Sequence, residues 1–515
     1  MKRLTAALAL ACALTFAATA AAVDFGANDD TGKYSADGGA TFFSQMAGTG
    51  LKQNVMTVRW TPGTSEIPER AFLDRAVPRA VAAGIKPIFA VYPYPPRQIE
   101  DGTATPAGFA SWLRAVATAY PQVTTYIVGN EPNLNTFWRP QGDGTGTILS
   151  GATFGPFLAA GYDALKAVSQ GNTVLGVGSS PRGERAPGAA DKTSPVHFLD
   201  ALGDWYRTSN RQTPLMDGYS FHPYPNPSDF SVPFSFTYGW PNASVQELHR
   251  IKQALWDAFN GTPQATTVSG MKLYLDEVGW QVAADPSRGY TGSENVKVTS
   301  EETQAAIYDQ LIRYVVCDPT VAQLNFFGYW DERVLEGWQS ALRRVDGSER
   351  ASNGAVKAAI AATGGQCQGA MRTWTPLTRP DGASVRFDGF KNVKSQRRAF
   401  GFTATASEDV TVKAGLVPAS TPVARIPALL ADAGSFDAYR KPPLKVTATP
   451  GAGAQVLAVA LAAELNPSRV AVFTSPAFTP GEAKASAKGK AAAKKKQKAK
   501  AKKAKAEAKK AKAKR

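Results

Sequence analysis

The chain has 515 residues and a formal net charge of +16. Such a charge is typical of proteins that bind nucleic acid, but residues 481–515 alone carry fifteen Lys and one Arg against two Glu, and residues 23–480 are close to neutral. The basicity is therefore a property of a tail and not of the folded part. With only three histidines in the chain and no suitable cysteine spacing, we expect no metal centre and no cofactor.

The first 22 residues have the pattern of an export signal. Lys2 and Arg3 precede a short apolar stretch, and small residues follow where a signal peptidase would cut, before Val23. A lipoprotein signal at Cys12 fits less well, because Ala9-Leu10-Ala11 is a poor lipobox. No later segment approaches the roughly 18 continuous apolar residues of a membrane span. We expect a secreted, soluble protein, with possible attachment to the cell wall.

Export would leave two cysteines, Cys317 and Cys367. An even pair in an oxidising compartment favours one disulfide, and two buried free thiols are the alternative.

From Val23 to about Gly365, short β-branched or aromatic runs alternate with segments of helical periodicity. The predicted strands cover residues 23–28, 55–60, 86–92, 124–130, 173–179, 216–222, 272–278 and 323–330. Longer helical patterns cover 71–84, 107–120, 244–259 and 301–316, and a short one covers 351–362. Eight strand-then-helix units predict a parallel (β/α)8 barrel over residues 23–367. The alternative, an open doubly wound sheet, lacks a Gly-rich phosphate loop after its first strand.

After about residue 368 the sequence becomes rich in Thr and Val, with short runs separated by Gly, Pro and Asp. This composition and spacing predict a small β-sandwich over residues 368–480, in which 431–443 is a long loop. Residues 481–515 are nearly all Lys and Ala, and that density of like charge predicts a disordered tail. The tail is either a solubilising appendage or a segment that attaches to an anionic cell-envelope polymer.

Polar and aromatic residues collect at the predicted strand ends, where active residues of a barrel gather. Two of them are carboxylates, Glu131 after strand four and Glu277 at the end of strand seven. Strands four and seven face each other across the barrel mouth. Glycoside cleavage requires one carboxyl group that protonates the leaving oxygen and a second that stabilises or attacks the sugar carbon. The sequence therefore predicts a carbohydrate substrate.

The pattern resembles the large clan of retaining glycoside hydrolases built on the (β/α)8 barrel, which includes cellulases, mannanases and β-xylosidases. The clan has Asn-Glu-Pro at the end of strand four, which is present here at residues 130–132, and a Glu at the end of strand seven, which LYLDEVGW (273–280) supplies. The resemblance implies that Glu131 is the general acid/base, Glu277 is the nucleophile and Asn130 binds the sugar 2-hydroxyl.

The same resemblance assigns four further substrate-site residues. Arg59 corresponds to the strand-two arginine that neighbours the nucleophile and helps to keep it ionised, and Trp330 to the strand-eight tryptophan under the sugar ring. His222 and Tyr224 correspond to the His-x-Tyr of strand six. For His222 alone, the residue pattern leaves a satisfied core histidine as an open alternative. Asp276 should alternate to the opposite face of strand seven from Glu277 and serve a structural role.

The sequence departs from the clan at strand three, where several families carry a His and this chain has AVYPYPP (90–96), so that Tyr92 or Tyr94 takes that space. Aromatic side chains near the expected mouth suit stacking on sugar rings: Trp60, Tyr92, Trp138, Tyr224, Trp240, Trp280, Tyr290, Trp330 and Trp338.

These observations predict a monomeric, secreted retaining hydrolase of β-linked O-glycosides. The alternative function is a non-catalytic carbohydrate- or envelope-binding protein on the same barrel. The sugar and linkage, and the choice between endo and exo action, depend on loops that the sequence does not place.

Overall fold

The computed structural model describes residues 22–226, 238–294, 296–377, 384–391, 393, 399–449 and 451–479. The predicted signal and basic tail lie outside these residues, except for Ala22. The chain divides into two compact units between Pro376 and Leu377, a few residues beyond the predicted boundary.

The first unit contains eight parallel strands that pair in sequence order, and β1 also pairs with β8, which closes the barrel. This confirms the predicted (β/α)8 barrel. The strands are β1 (Asp24–Asn28), β2 (Gln53–Trp60), β3 (Lys86–Pro93), β4 (Thr125–Val128), β5 (Thr173–Ser179), β6 (Gly218–Phe221), β7 (Lys272–Val278) and β8 (Val321–Phe327).

The helices follow the strands around the outside of the barrel. They are α1 (Thr31–Tyr34), α2 (Ala40–Thr49), α3 (Arg70–Ala82), α4 (Arg97–Glu100), α5 (Pro106–Ala119), α6 (Ser150–Val168), α7 (Pro195–Thr208), α8 (Leu248–Phe259), α9 (Glu301–Val315) and α10 (Ala351–Thr363). The longer helices bury apolar residues on one face and expose polar residues on the other. Among the described residues, no helix is long and apolar enough to cross a membrane.

Local sequence explains where several helices begin. Thr105, Ser194 and Ser300 each place a side-chain oxygen within 3.1–3.2 Å of the backbone N–H three residues later, at the starts of α5, α7 and α9. Such caps satisfy N–H groups that have no partner within the helix. A proline follows the cap in α5 and α7, where its missing N–H costs nothing.

Apolar side chains from consecutive strands fill the barrel interior. Val55, Ile88, Ala90, Ile127 and Leu175 form one buried cluster, against which Tyr274 packs. Their alternate positions along β2 and β3 identify the inward-facing side of each strand. Residues two and four places further along these strands therefore point towards the barrel mouth.

Cys317, just beyond α9, and Cys367, just beyond α10, are joined by a disulfide. The N–H of Val23 donates to the carbonyl oxygen of Gly365 over 2.8 Å. Both contacts tie the last segment of this unit to the body of the barrel.

The second unit consists of a three-stranded and a four-stranded antiparallel sheet. Side chains from both sheets, including Phe400, Phe402, Val412 and Leu461, form one hydrophobic core, which confirms the predicted sandwich. Its elements are β9 (Val385–Lys391), β10 (Ala399–Ala406), β11 (Val410–Pro418), α11 (Ile426–Leu429), β12 (Ala431–Phe436), β13 (Leu444–Thr447), β14 (Gln455–Ala463) and β15 (Val470–Thr474).

The segment 431–443 is not entirely a loop, because its first half is the edge strand β12, paired with β11. Most side chains of β12 are exposed. An edge strand of this kind lacks the apolar alternation by which strands are recognised in a sequence.

Candidate active site

The C-terminal ends of four strands bring a cluster of polar side chains together in the barrel mouth. Asn28 ends β1, Glu131 follows β4, His222 follows β6, and Asp276 and Glu277 lie near the end of β7. This is the end of the barrel at which the fold places reactive groups.

Glu131 lies on an unusual backbone. Its φ is 42°, in the left-handed region that non-glycine residues seldom adopt, and Gly129 before it has a φ of 117°. The Glu131 N–H donates to the carbonyl oxygen of Gly178 on β5 over 2.7 Å, which holds this conformation. Gly129 admits no side chain, since a Cβ there would lie 2.6 Å from the carbonyl oxygen of Val177. Neighbouring backbone thus fixes the direction of Glu131.

Strand β7 contains a bulge at the two acidic residues. Leu275 pairs with Leu324 and Val278 pairs with Phe326, so β7 has one more residue than β8 over this interval. An extra residue interrupts the alternation of side chains. Asp276 and Glu277 consequently both reach the imidazole of His222. This corrects the expectation that Asp276 faces away from Glu277.

Two donors hold the carboxylate of Glu277. Asn28 Nδ2 donates to Oε1 over 2.9 Å, and the Tyr224 hydroxyl donates to Oε2 over 3.0 Å. Sequence reasoning predicted Tyr224 in the site but missed Asn28. The position of Asn28 at the very end of the first strand was the available signal.

His222 lies between the carboxyl groups. Its Nδ1 is 3.2 Å from Glu131 Oε1 and 3.4 Å from Glu277 Oε2, and its Nε2 is 3.3 Å from Asp276 Oδ2. The side chain is only 1% exposed. A ring enclosed in this way bridges carboxylates and offers little surface to a sugar, in contrast to the predicted sugar contact.

The electrostatics of the cluster follow from burial and from these contacts. Burial opposes the charged form of His222, but the carboxylates of Glu277 and Asp276 and hydrogen bonds to Asp276 and Glu131 outweigh it, and its pKa lies well above the ordinary value. Burial raises the pKa of Glu277 to about 8, with contributions from Glu131 and Asp276, although His222 and the Tyr224 hydrogen bond act in the opposite direction. The site therefore favours the imidazolium form of His222 and disfavours the ionised form of Glu277.

The shared imidazole limits the distance between the two glutamates. Glu131 Oε1 and Glu277 Oε2 both contact Nδ1, so their separation cannot exceed about 6.6 Å, the sum of the two distances. Carboxyl groups lie about 5–5.5 Å apart in retaining glycosidases and about 6.5–9.5 Å apart in inverting ones. This limit applies to the nearest oxygen of each group and is compatible with the retaining separation.

Asn130 is half-buried beside Glu131. Its side-chain amide makes no hydrogen bond to any described residue. The amide can therefore both donate to and accept from a ligand.

Arg59 does not form a hydrogen bond with Glu277. Its Nε donates to the Tyr92 hydroxyl over 3.2 Å, and its guanidinium lies over the ring of Tyr94, 5.1 Å from the centroid. Burial raises the pKa of Tyr92 to about 12, and the carboxylate of Glu277 contributes to that shift. Tyr92 thus contacts Arg59 and is influenced by the charge of Glu277, while Asn28 and Tyr224 donate to Glu277 directly.

The tryptophans expected at the barrel mouth differ in their exposure. Trp280 is 1% exposed and packs against Tyr308, so its ring has no face available for a sugar. Trp330 is half-buried and donates from Nε1 to Gln45 Oε1 over 3.2 Å. Trp338 is also half-buried, and its ring packs against that of Tyr224 with 5.0 Å between the ring centroids. Trp338 is therefore the tryptophan beside the tyrosine that holds Glu277.

Among the residues that the structure describes, no group of three or more His, Cys, Asp or Glu side chains is arranged to hold a metal ion. Glu131, Glu277 and their partners form an acid–base cluster of carboxyl groups around one imidazole.

No protein-family model matches the sequence, and no curated protein matches it. Several solved structures are similar to it at a low level. A family 39 glycoside hydrolase from the gut symbiont Bacteroides cellulosilyticus WH2 is 15% identical, with a TM-score of 0.44 over 83% of this chain and 79% of that one. The GH39 enzyme from Xanthomonas axonopodis pv. citri is 12% identical, with a TM-score of 0.44 over 89% of this chain and 93% of that one.

A GH5_18 protein from Streptomyces cattleya in complex with GlcNAc is 16% identical, with a TM-score of 0.46 over 70% of this chain and 83% of that one. Likenesses of this degree do not assign an activity.

Proposed function

We propose that the protein is a retaining glycoside hydrolase that cleaves β-linked O-glycosides by double displacement. The observation that carries this proposal is the pair of glutamates that share one imidazole nitrogen, at 3.2 and 3.4 Å, in the mouth of the barrel. Two carboxyl groups at this separation satisfy the requirement for a nucleophile and a general acid on one sugar.

Glu277 is suited to be the nucleophile. Each of its oxygens accepts a hydrogen bond, from Asn28 and from Tyr224, and such bonds favour the ionised carboxylate. Glu131 is held by His222 alone among the described side chains and is more exposed, with 17% of its side chain accessible. In the first step Glu131 gives a proton to the leaving oxygen while Glu277 attacks the anomeric carbon.

The second step reverses these roles. Once Glu277 is esterified its negative charge is gone, and Glu131, now a carboxylate, accepts a proton from water as the water attacks the sugar. The imidazolium of His222 lies beside both glutamates and stabilises whichever carries the negative charge. The free amide of Asn130 would bind the sugar 2-hydroxyl next to the reacting carbon.

An activated aryl β-glycoside panel tests the proposal. Wild-type protein should release a burst of phenol and give a product that retains the β configuration by NMR. Glu277→Gln should lose both burst and turnover. Glu131→Gln should still form the glycosyl-enzyme from an aryl glycoside with a good leaving group but hydrolyse it slowly. An inverted product would overturn the mechanism, and no turnover on a broad panel would favour a non-catalytic carbohydrate-binding protein.

We further propose that the protein is exported and that residues 481–515 attach it to an anionic envelope polymer. The disulfide fits an oxidising compartment. Attachment by fifteen lysines should weaken steeply with salt. A chain truncated after residue 480 that bound envelope preparations as well as the full chain at low salt would contradict the attachment.

A further inference from the structure

A cavity of about 170 Å³ lies beside Arg59, the residue that donates to the Tyr92 hydroxyl. The loops after β1 and β2 and the end of β3 enclose it, and it is lined by Asp30, Lys33, Tyr34, Thr57, Arg59, Thr61, Pro68, Glu69 and Tyr94. Arg59 and Tyr92 are paired across β2 and β3, so the cavity adjoins the site through one pair of contacting side chains. Its size suits a single sugar unit rather than a drug-sized ligand, for which pockets of about 300–1,000 Å³ are usual.

The acceptor groups of this cavity are already engaged within the protein. Lys33 is buried and lies 3.1 Å from Asp30 Oδ2 and 2.9 Å from Glu69 Oε2. The other oxygen of Asp30 accepts from the backbone N–H of Thr57, and the other oxygen of Glu69 accepts from the Tyr34 hydroxyl. Lys33 carries one positive charge against two carboxylates, and Arg59 also contributes, since its charge helps to lower the pKa of Glu69. Each carboxylate oxygen already has one contact within the protein.

Arg59 is the lining cation whose donors are not all used by the described residues. Its Nε is bonded to Tyr92 and one face of the guanidinium lies on Tyr94, which fixes the plane of the group. The two terminal nitrogens donate to none of the described residues. A fixed guanidinium with two free ends matches the geometry of a carboxylate, which it binds through two parallel hydrogen bonds.

Two tyrosines provide apolar surface beside this charge. Tyr34 is 45% and Tyr94 37% exposed, and both line the cavity. Aromatic rings suit the apolar face of a sugar. The combination of a ring surface and a guanidinium fork indicates a sugar unit that carries a carboxylate.

We propose that this cavity is a subsite for a uronic acid residue of the substrate, and that Arg59 binds its carboxylate. The inference rests on the proposed function for its effect on turnover, but the binding itself does not require hydrolysis. It assigns acidic glycans, which contain uronic acid units, as the substrate class.

The test uses glucuronic acid-containing oligosaccharides and their carboxyl-reduced counterparts, in which glucose replaces the uronic acid. Calorimetric binding to the wild-type chain should be at least about tenfold tighter for the acidic set, because a charged bidentate contact is involved. Arg59→Gln should bring the ratio of the two affinities close to one, and Arg59→Lys, which keeps the charge without the fork, should leave an intermediate ratio. The matched control is Arg79→Gln. Arg79 is an exposed residue in the last turn of α3, away from Glu69 at the start of that helix, and its replacement should leave the ratio of the two affinities unchanged.

Equal binding of the acidic and reduced sets by the wild-type chain would overturn the proposal without any variant. Tighter binding of a sulfated oligosaccharide than of the uronic acid set would overturn the assignment to a carboxylate. Turnover separates the two proposals. Acid-selective binding without hydrolysis would contradict the hydrolase and support the subsite. Hydrolysis of both sets with no preference in binding would support the hydrolase and contradict the subsite.

Discussion

Asp276 Oδ2 lies 3.3 Å from Nε2 of His222, on the side of the imidazole opposite to the two glutamates. The Ser220 hydroxyl donates to the other oxygen of Asp276, so this carboxylate is fixed in place. A histidine held in this way has one orientation and a stabilised positive charge. Asp276 therefore acts on the glutamates through His222 and is a positioning residue.

Asp276→Asn should lower the pKa of His222, because the negative charge of Asp276 is among the causes that raise it. The chain has three histidines, and burial lowers the pKa of both His197 and His249 to about 4. At pH 7 the wild-type chain should therefore show one charged imidazole by NMR, that of His222. In the variant this imidazole should lose its proton at a lower pH than in wild type. We expect kcat to fall by about 10- to 100-fold.

The control for this substitution is Asp309→Asn, which removes an exposed carboxylate on α9 that pairs with Arg313. It should leave the imidazole titration and kcat unchanged. A His222 titration that is the same in Asp276→Asn and wild type would contradict the positioning role.

Tyr224→Phe should shift the acid limb of the pH profile of kcat/KM to higher pH. Glu277 must be ionised to attack, and the Tyr224 hydrogen bond lowers its pKa, which burial raises to about 8. Loss of that donor should move the limb upward by about one pH unit. Tyr126→Phe, which removes a buried hydroxyl bonded to the Val123 carbonyl oxygen, is the control. An unchanged limb in Tyr224→Phe would show that another group sets it.

The barrel and the positions of its strand-end residues were predictable because the physical signals are local. Parallel strands covered on both sides are apolar runs, and their C-terminal ends meet at one mouth, so Glu131 and Glu277 could be placed in the same region. Tyr224 could be placed there for the same reason.

The contacts among these residues were not predictable from spacing. The bulge in β7 adds a residue within LYLDEV without a glycine or proline to mark it, so Asp276 was placed on the wrong face. The partner of Arg59 depends on how its long side chain packs on Tyr94, which no periodicity encodes. Trp280 was chosen as a mouth aromatic by its position after β7, but it is buried against Tyr308 of α9.

Glu277→Gln should stabilise the protein more at high pH than at low pH. Because the pKa of Glu277 is higher in the folded chain than the usual 4.5, the folded state binds more protons than the unfolded state between about pH 4.5 and 8, and stability falls as pH rises through this window. The variant has no such titration. Its Tm relative to wild type should rise progressively, by several degrees, between pH 5 and pH 8.5.

The measurement is thermal unfolding across this pH range, with Glu100→Gln as an exposed control on α4. A Tm difference between Glu277→Gln and wild type that does not change with pH would contradict the assigned direction of the Glu277 pKa.

The disulfide should contribute measurably to the stability of the barrel. Cys317 and Cys367 are separated by 50 residues, and closing a loop of that length restricts the unfolded chain by about 4 kcal/mol in the entropic description. Replacing both cysteines by serine should lower the urea midpoint, and dithiothreitol should do the same to wild type but not to the variant. A midpoint unaffected by reductant in wild type would indicate that the bond does not form.

The space beside His222 can be tested with two glycines that share a backbone conformation. Gly178 has a φ of 64° and Gly84 a φ of 75°, so alanine at either position is strained by about 1–2 kcal/mol. A Cβ at Gly178 would lie 3.1 Å from His222 Nε2, whereas a Cβ at Gly84 would have nothing within 4 Å. Urea unfolding should therefore show a larger loss of stability in Gly178→Ala than in Gly84→Ala, because only the first must also displace a buried side chain. Only Gly178→Ala should displace the imidazole from Asp276 and lower kcat, and equal kcat in the two variants would show that small shifts of His222 do not affect turnover.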